Sequence, residues 1–266
     1  MPDLCKVALV HPRRIFLITL LAVGGAAGWF QRNALLRWVD SVQRPFTISR
    51  SHRPKPDPAM YSALTASLET WRVRLAARLM EAKNPEERAK VLTDARIILE
   101  TALPTMMRCW LGTPYDFNGT ANAPGKGKIA CGYFVATVLK DAGINVDRYQ
   151  LAKQPSENIL RSFLPKNACS LTVNQEYTDF ATSLSRAEAG VYVVGLDTHV
   201  AFAVVRNGTF RVIHASGSRP WCVVDENASG AGVVRKSKWR LLGNMTANQD
   251  FLNDWLTAQR IVVRGA

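Results

Sequence analysis

Residues 129–143, IACGYFVATVLKDAG, decide how the rest of the chain is read. Cys131 stands one step ahead of an apolar run at helical spacing, with Phe134, Val135, Val138 and Leu139 on one face. Lys140 falls in the last turn, and Gly143 supplies a stop just past the end. The spacing predicts a buried helix with a cysteine in its first turn. Unpaired N–H groups and the helix dipole stabilise an anion there, so the expectation is a thiol pKa below the ordinary value and a nucleophilic thiolate. The alternative use of such a cysteine is as a small core residue.

Further along, residues 190–194, 199–205 and 209–214 are rich in β-branched and aromatic side chains and read as strands. Asn207-Gly208 joins the last two as a tight hairpin turn. Pairing about that turn sets Arg206 opposite Thr209 and Val200 near Ala215. His199 and His214 then become neighbours at one end of the sheet. A slip of one residue would turn one of them to the other face. Of the four histidines, His11 and His52 lie outside the expected folded part, so these two stand out. With Cys131 they fit nucleophilic catalysis, His199 serving as general base and then as acid towards the leaving amine. His214 would fix the tautomer of His199, and the backbone N–H of Cys131 would be a first oxyanion donor. Two half-buried sheet histidines without a catalytic task are the alternative.

On either side of this block the signals are weaker. Residues 60–82 and 85–103 read as two scaffold helices, the first on Leu64, Leu68, Trp71, Leu75 and Leu79, the second opening on Asn84-Pro85-Glu86-Glu87. Residues 105–111 either prolong the second helix or begin a third, with Pro104 as the interruption. Residues 223–224 suggest a short strand, 232–234 and 238–242 a further strand pair, 251–256 a helix and 261–263 a final strand. Residues 144–183 carry no clear pattern. At the N-terminus, Arg13 and Arg14 precede an uncharged run over 15–30 that reads as an export signal or membrane anchor. Residues 31–43 suit a short amphipathic helix, and the prolines at 45, 54, 56 and 58 among basic side chains suit a semi-extended linker. The expected organisation is therefore 1–30 signal or anchor, 31–58 basic linker, 59–103 helical region and 104–266 catalytic domain.

The chain of 266 residues carries 34 basic and 21 acidic side chains, a net charge of +13. Residues 1–58 hold 9 of the basic and 3 of the acidic residues, or +6, which leaves +7 for the rest. The excess is thus spread over both parts, which suits an anionic neighbourhood such as phospholipid headgroups or cell-wall polymer. No nucleic-acid-binding pattern is present, so nucleic acid is not an expected partner. The five cysteines include no C-x-x-C pair, which argues against structural zinc and thioredoxin-like chemistry. A Cys169–Cys222 bridge is conceivable in an oxidising compartment.

Three segments, in order, carry a resemblance. WLGTPYDFNG is similar to a G-x-P-Y-x-W-G-G stretch through Gly112, Pro114 and Tyr115. IACGYFVATVL is similar to D-C-S-G-F-V through Cys131, Phe134 and Val135, and the 199–216 segment ends in a matching His214-Ala215-Ser216. Over residues 104–216 the chain resembles the NlpC/P60 branch of papain-like cysteine peptidases and amidases. The resemblance implies an α+β fold with a papain-like antiparallel sheet and the nucleophile at a helix N-terminus, here preceded by a helical segment and the N-terminal export segment. It implies a Cys-His-His triad on Cys131, His199 and His214, a substrate-binding role for Tyr115, no cofactor or metal, and hydrolysis of amide bonds in peptidoglycan peptides outside the cytoplasm. Family members hold the free amine of the wall peptide with the Tyr, an Asp before the nucleophile and a Ser after it. Ala130 and Gly132 replace the last two here, so a free-amine preference is not expected. Two other readings fit the same residues: a membrane-tethered binding module whose pocket has drifted, and an acyl hydrolase or transferase acting on a lipid.

Overall fold

A helix can start at Pro58 because Asp57 caps it. Its side chain accepts from the Met60 N–H at 2.9 Å, and a proline in the first turn gives up no needed donor. The computed structural model describes residues 32–42 and 54–266. The chain divides into two units, Met1–Pro45 and Phe46–Ala266. In the first, residues 32–42 form a helix, α1, as the amphipathic pattern predicts. The uncharged run over 15–30 and most of the basic linker lie outside the described residues. Among the described residues no helix is long and apolar enough to cross a membrane.

In the second unit, α2 (Pro58–Glu81) buries Tyr61, Leu64, Leu68, Trp71, Leu75 and Leu79. Asn84 caps α3 (Pro85–Arg108), which runs on through Pro104. Of the two readings of the stretch after Pro104, the structure has the prolonged second helix, so 103/104 falls inside α3. An internal proline costs about 3 kcal/mol. Leu103, Met106 and Met107, at most 1% exposed, each return roughly 1.5–3 kcal/mol by burial, so packing outweighs the lost bond.

Beyond α4 (Cys131–Asp141) come the short helices α5 (Arg148–Ala152) and α6 (Ser156–Arg161), then β1 (Cys169–Val173) and α7 (Tyr177–Arg186). The sheet continues with β2 (Gly190–Leu196), β3 (Val200–Arg206), β4 (Thr209–Ala215), β5 (Val223–Asn227) and β6 (Trp239–Asn244). Its six strands run in the order β1-β6-β2-β3-β4-β5, every pair antiparallel, which makes the fold α+β. The turn between β3 and β4 has φ 54° at Asn207 and 70° at Gly208, the mirror-image geometry that Asn-Gly favours. Arg206 faces Thr209 and Phe202 faces Ile213, the expected register.

Two expected strands are not formed. Residues 232–236 are a helix, α8 (Gly232–Lys236), and β6 pairs with β1 and β2 instead. The buried Arg240 guanidinium donates to the carbonyls of Val234 at 2.9 Å and Gln175 at 2.8 Å, holding the end of α8 in helical form despite its valines. Residues 261–263 bury Ile261 and Val263 and expose Val262, as a strand would, but no strand lies beside them. Ile261 donates only to the Asn145 carbonyl. The conceivable Cys169–Cys222 bridge is also excluded. Cys169, on β1, and Cys222, just before β5, stand at opposite edges of the sheet, about 24 Å apart at the usual strand spacing, where a disulfide needs less than about 7 Å.

The sheet is covered on both faces. Phe180 and Leu184 of α7 pack with Tyr192, Val194, Ala201, Ala203, Phe210 and Val212 on one face. On the other face α4 is held by an aromatic column. Phe134 meets Phe202 at 5.9 Å and Trp110 at 6.1 Å, and Trp110 meets Tyr61 at 5.6 Å, all edge to face. That column carries the helical region onto α4 and α4 onto the sheet. Phe134→Ala should lower unfolding stability by about 3–5 kcal/mol in urea denaturation, because the cavity opens at the middle of the column. A loss below about 1 kcal/mol would mean the column does not fix α4.

Candidate active site

Cys131 is the first residue of α4, and the residue before it, Ala130, makes no side-chain cap. The first N–H groups of the helix are therefore left for something else. The backbone leading in is tied down, with Ile129 donating to Pro114 and Ala130 to Gly119, both at 2.9 Å. Arg148, buried, clamps the other side. Its guanidinium donates to the Thr137 hydroxyl at 2.6 Å and the Ala121 carbonyl at 2.7 Å, and it lies 5.0 and 5.1 Å from the rings of Tyr133 and Tyr149. α5 presses so closely on the helix start that a Cβ at position 132 would collide with the Ala152 carbonyl. Gly132 is the residue this packing admits.

His199 sits in the turn between β2 and β3. That turn is pinned by Asp197, whose carboxylate accepts from the Ser237 hydroxyl at 2.6 Å and from the N–H groups of Lys238 at 2.8 Å and Trp239 at 3.0 Å. These bonds hold the Asp197 carboxyl below its usual pKa. Ser156 adds a bond to the Leu196 carbonyl at 3.0 Å. His214 lies on the sheet face shared by Phe210 and Val212, and Glu226 of β5, opposite Val212, is on that face too. His199 Nε2 is 2.8 Å from His214 Nδ1, with the rings perpendicular, and His214 Nε2 is 3.1 Å from a Glu226 carboxylate oxygen. A carboxylate only accepts, so His214 donates from Nε2. With His214 neutral, its Nδ1 accepts from His199 Nε2–H, and Nδ1 of His199 is left as a free lone pair.

Cys131 and His199 line the same cavity of about 850 Å³. The backbone N–H groups of Val200, next to His199, of Gly132 and of Cys131 itself all favour the anionic form of the sulfur. Burial nevertheless dominates and pushes the thiol above its ordinary pKa, with those three donors pulling back. Burial, with His214 beside it, lowers His199 to about 3. The expected resting thiolate is thus corrected to a neutral thiol beside a neutral imidazole. The helix start does supply anion-stabilising donors, but a half-dry cavity costs the charge more than they return.

Tyr115 stands on the His214 side, in a second cavity of about 510 Å³ shared with Ser216, Gly217 and Glu226. Burial raises its hydroxyl pKa, and Cys131 and Asp116 add to the rise. The structure therefore brings Cys131, His199, His214 and Tyr115 to one cleft. Glu226 was not foreseen, because only Val223 and Val224 read as strand. Continuing the period-two pattern two residues on would have placed it beside His214. Phe117, 79% exposed, lines both cavities and forms the rim between them. Among the described residues no group of acids, histidines and cysteines could hold a metal ion.

No family model matches the chain, and no curated protein or solved structure was found similar to it.

The raised thiol pKa has a definite sign. Less thiolate is present at a given pH, so alkylation of free Cys131 should climb only above the pH of about 8.5 at which ordinary cysteines ionise. Peptide mass spectrometry after iodoacetamide treatment reads this directly. Fast labelling of Cys131 already saturated at neutral pH would contradict the neutral pair.

Proposed function

We propose that this chain is a cell-envelope cysteine hydrolase of the NlpC/P60-like kind that cleaves an amide bond in peptidoglycan peptides. The observation that carries the reading is the chain of contacts from the Cys131 cavity through His199 and His214 to Glu226. Arg13-Arg14 with the uncharged run behind them, and the net charge of +13, support an envelope location beside anionic polymer.

In the proposed reaction His199 Nδ1 takes the Cys131 thiol proton as sulfur attacks the carbonyl carbon. The N–H groups of Cys131 and Gly132 lie at the uncapped helix start, where the charge moving to the carbonyl oxygen would be received. The C–N bond breaks as His199 returns the proton to the amine, leaving an acyl thioester on Cys131. Water then adds to the thioester through the same base, the C–S bond breaks, and the acid departs as the thiol is restored. A neutral resting pair suits this order, since proton transfer and attack proceed together in a site of low polarity.

A tethered binding module is the second reading. What favours it is the packing of Gly132 against Ala152, which removes a position used in the family's amine pocket. Cys131→Ala separates the two, and should abolish wall-peptide cleavage while leaving the thermal midpoint within a few degrees. Single-turnover rates should fall by about 10²–10⁴ for His199→Ala and less for His214→Ala, because an orienting partner is more easily replaced than the base. Cleavage by Cys131→Ala, or wild-type rates in both histidine variants, would refute the mechanism.

A further inference from the structure

The cavity beside Cys131 has an uneven chemistry. Its walls include Phe117, Ala152, Pro155, Ile159, Leu196 and Trp239, and it carries three charged side chains, Lys153, Glu157 and Asp197. Two of those charges are already engaged. Glu157 accepts from Arg161 at 2.8 Å, and Asp197 is consumed by Ser237 and the backbone of 238–239. The ammonium of Lys153, at the C-terminal end of α5, has no hydrogen-bond or ion-pair partner among the described residues. No arginine and no second lysine lines this cavity, and His199 is neutral above a pH of about 3. An apolar hollow of this kind with one unmatched ammonium is complementary to an apolar group that bears one negative charge. One ammonium balances a monoanion and falls short of a phosphate dianion. The hydroxyls of Thr120, Tyr133, Ser156 and Thr198 also line this cavity. Those of Ser216, Ser218, Ser237 and Tyr115 line the second one, beyond His199.

We propose that the cleft selects amide substrates carrying an apolar residue with a free carboxylate on the Lys153 side of the scissile bond, and that Lys153 is the specificity-determining residue. This rests on the hydrolase reading of the same site. It departs from recognition of a free amine, for which this cavity offers no unengaged carboxylate.

The test measures binding rather than turnover, in the full chain with Cys131→Ala, so that failure of the chemistry does not touch it. Calorimetry would compare acetyl-Ala-Leu with its carboxyl-terminal amide and with acetyl-Ala-Lys. The free acid should bind about three- to tenfold more tightly than the amide, the range for a partly exposed charge pair, and acetyl-Ala-Lys should bind more weakly than the free acid. Adding Lys153→Met should erase the preference, and Lys153→Glu should reverse it, with the circular dichroism unchanged. Equal binding of acid and amide, no saturable binding of either, or a preference that survives Lys153→Met would overturn the proposal. Cleavage by the wild type, assayed separately, decides the hydrolase reading.

Discussion

The structure turns on the join at Cys131, where the uncapped start of α4, on one face of the sheet, meets Val200 at the mouth of β3, and backbone N–H groups on both sides favour the anion of the sulfur. The join needs an uncapped helix start, which Ala130 provides, and a helix start that α5 can abut, which Gly132 provides. A side-chain cap at 130 would satisfy the same N–H groups and compete with the sulfur for them. The aromatic column from Tyr61 to Phe202 then fixes the height of α4 over the sheet.

Burial sets the electrostatics of the site. It raises the thiol and depresses the imidazole together, which favours the neutral form of both. Direction comes from further away. Glu226 can only accept, and that single constraint runs back through His214 to decide which nitrogen of His199 is bare. The Asp197 network holds the His199 turn, so the His199 ring is fixed from the loop side as well as from the sheet.

The sequence made the hairpin legible because Asn-Gly admits positive φ at both turn positions and the flanking residues alternate without interruption. Register followed, and with it the meeting of His199 and His214. The helix start was legible from periodicity, but its effect on Cys131 was not, since the cost of burial depends on walls supplied by α5, α6 and the 239 region. Glu226 was lost with the end of β5. α8 was lost because its valines favour a strand, while the arginine that stabilises it as a helix lies four residues past its end. Residues 261–263 keep a strand's alternation of burial with no neighbouring strand, a difference that no local pattern records.

The relay's central requirement is the position of two protons. Long-range proton–nitrogen correlation spectra of the imidazoles at neutral pH read it directly. The geometry predicts that His214 and His199 each carry a single proton on Nε2, with Nδ1 of His199 bare. A His214 protonated on both nitrogens, or a His199 carrying its proton on Nδ1, would reverse the chain of donors and contradict His199 as the base.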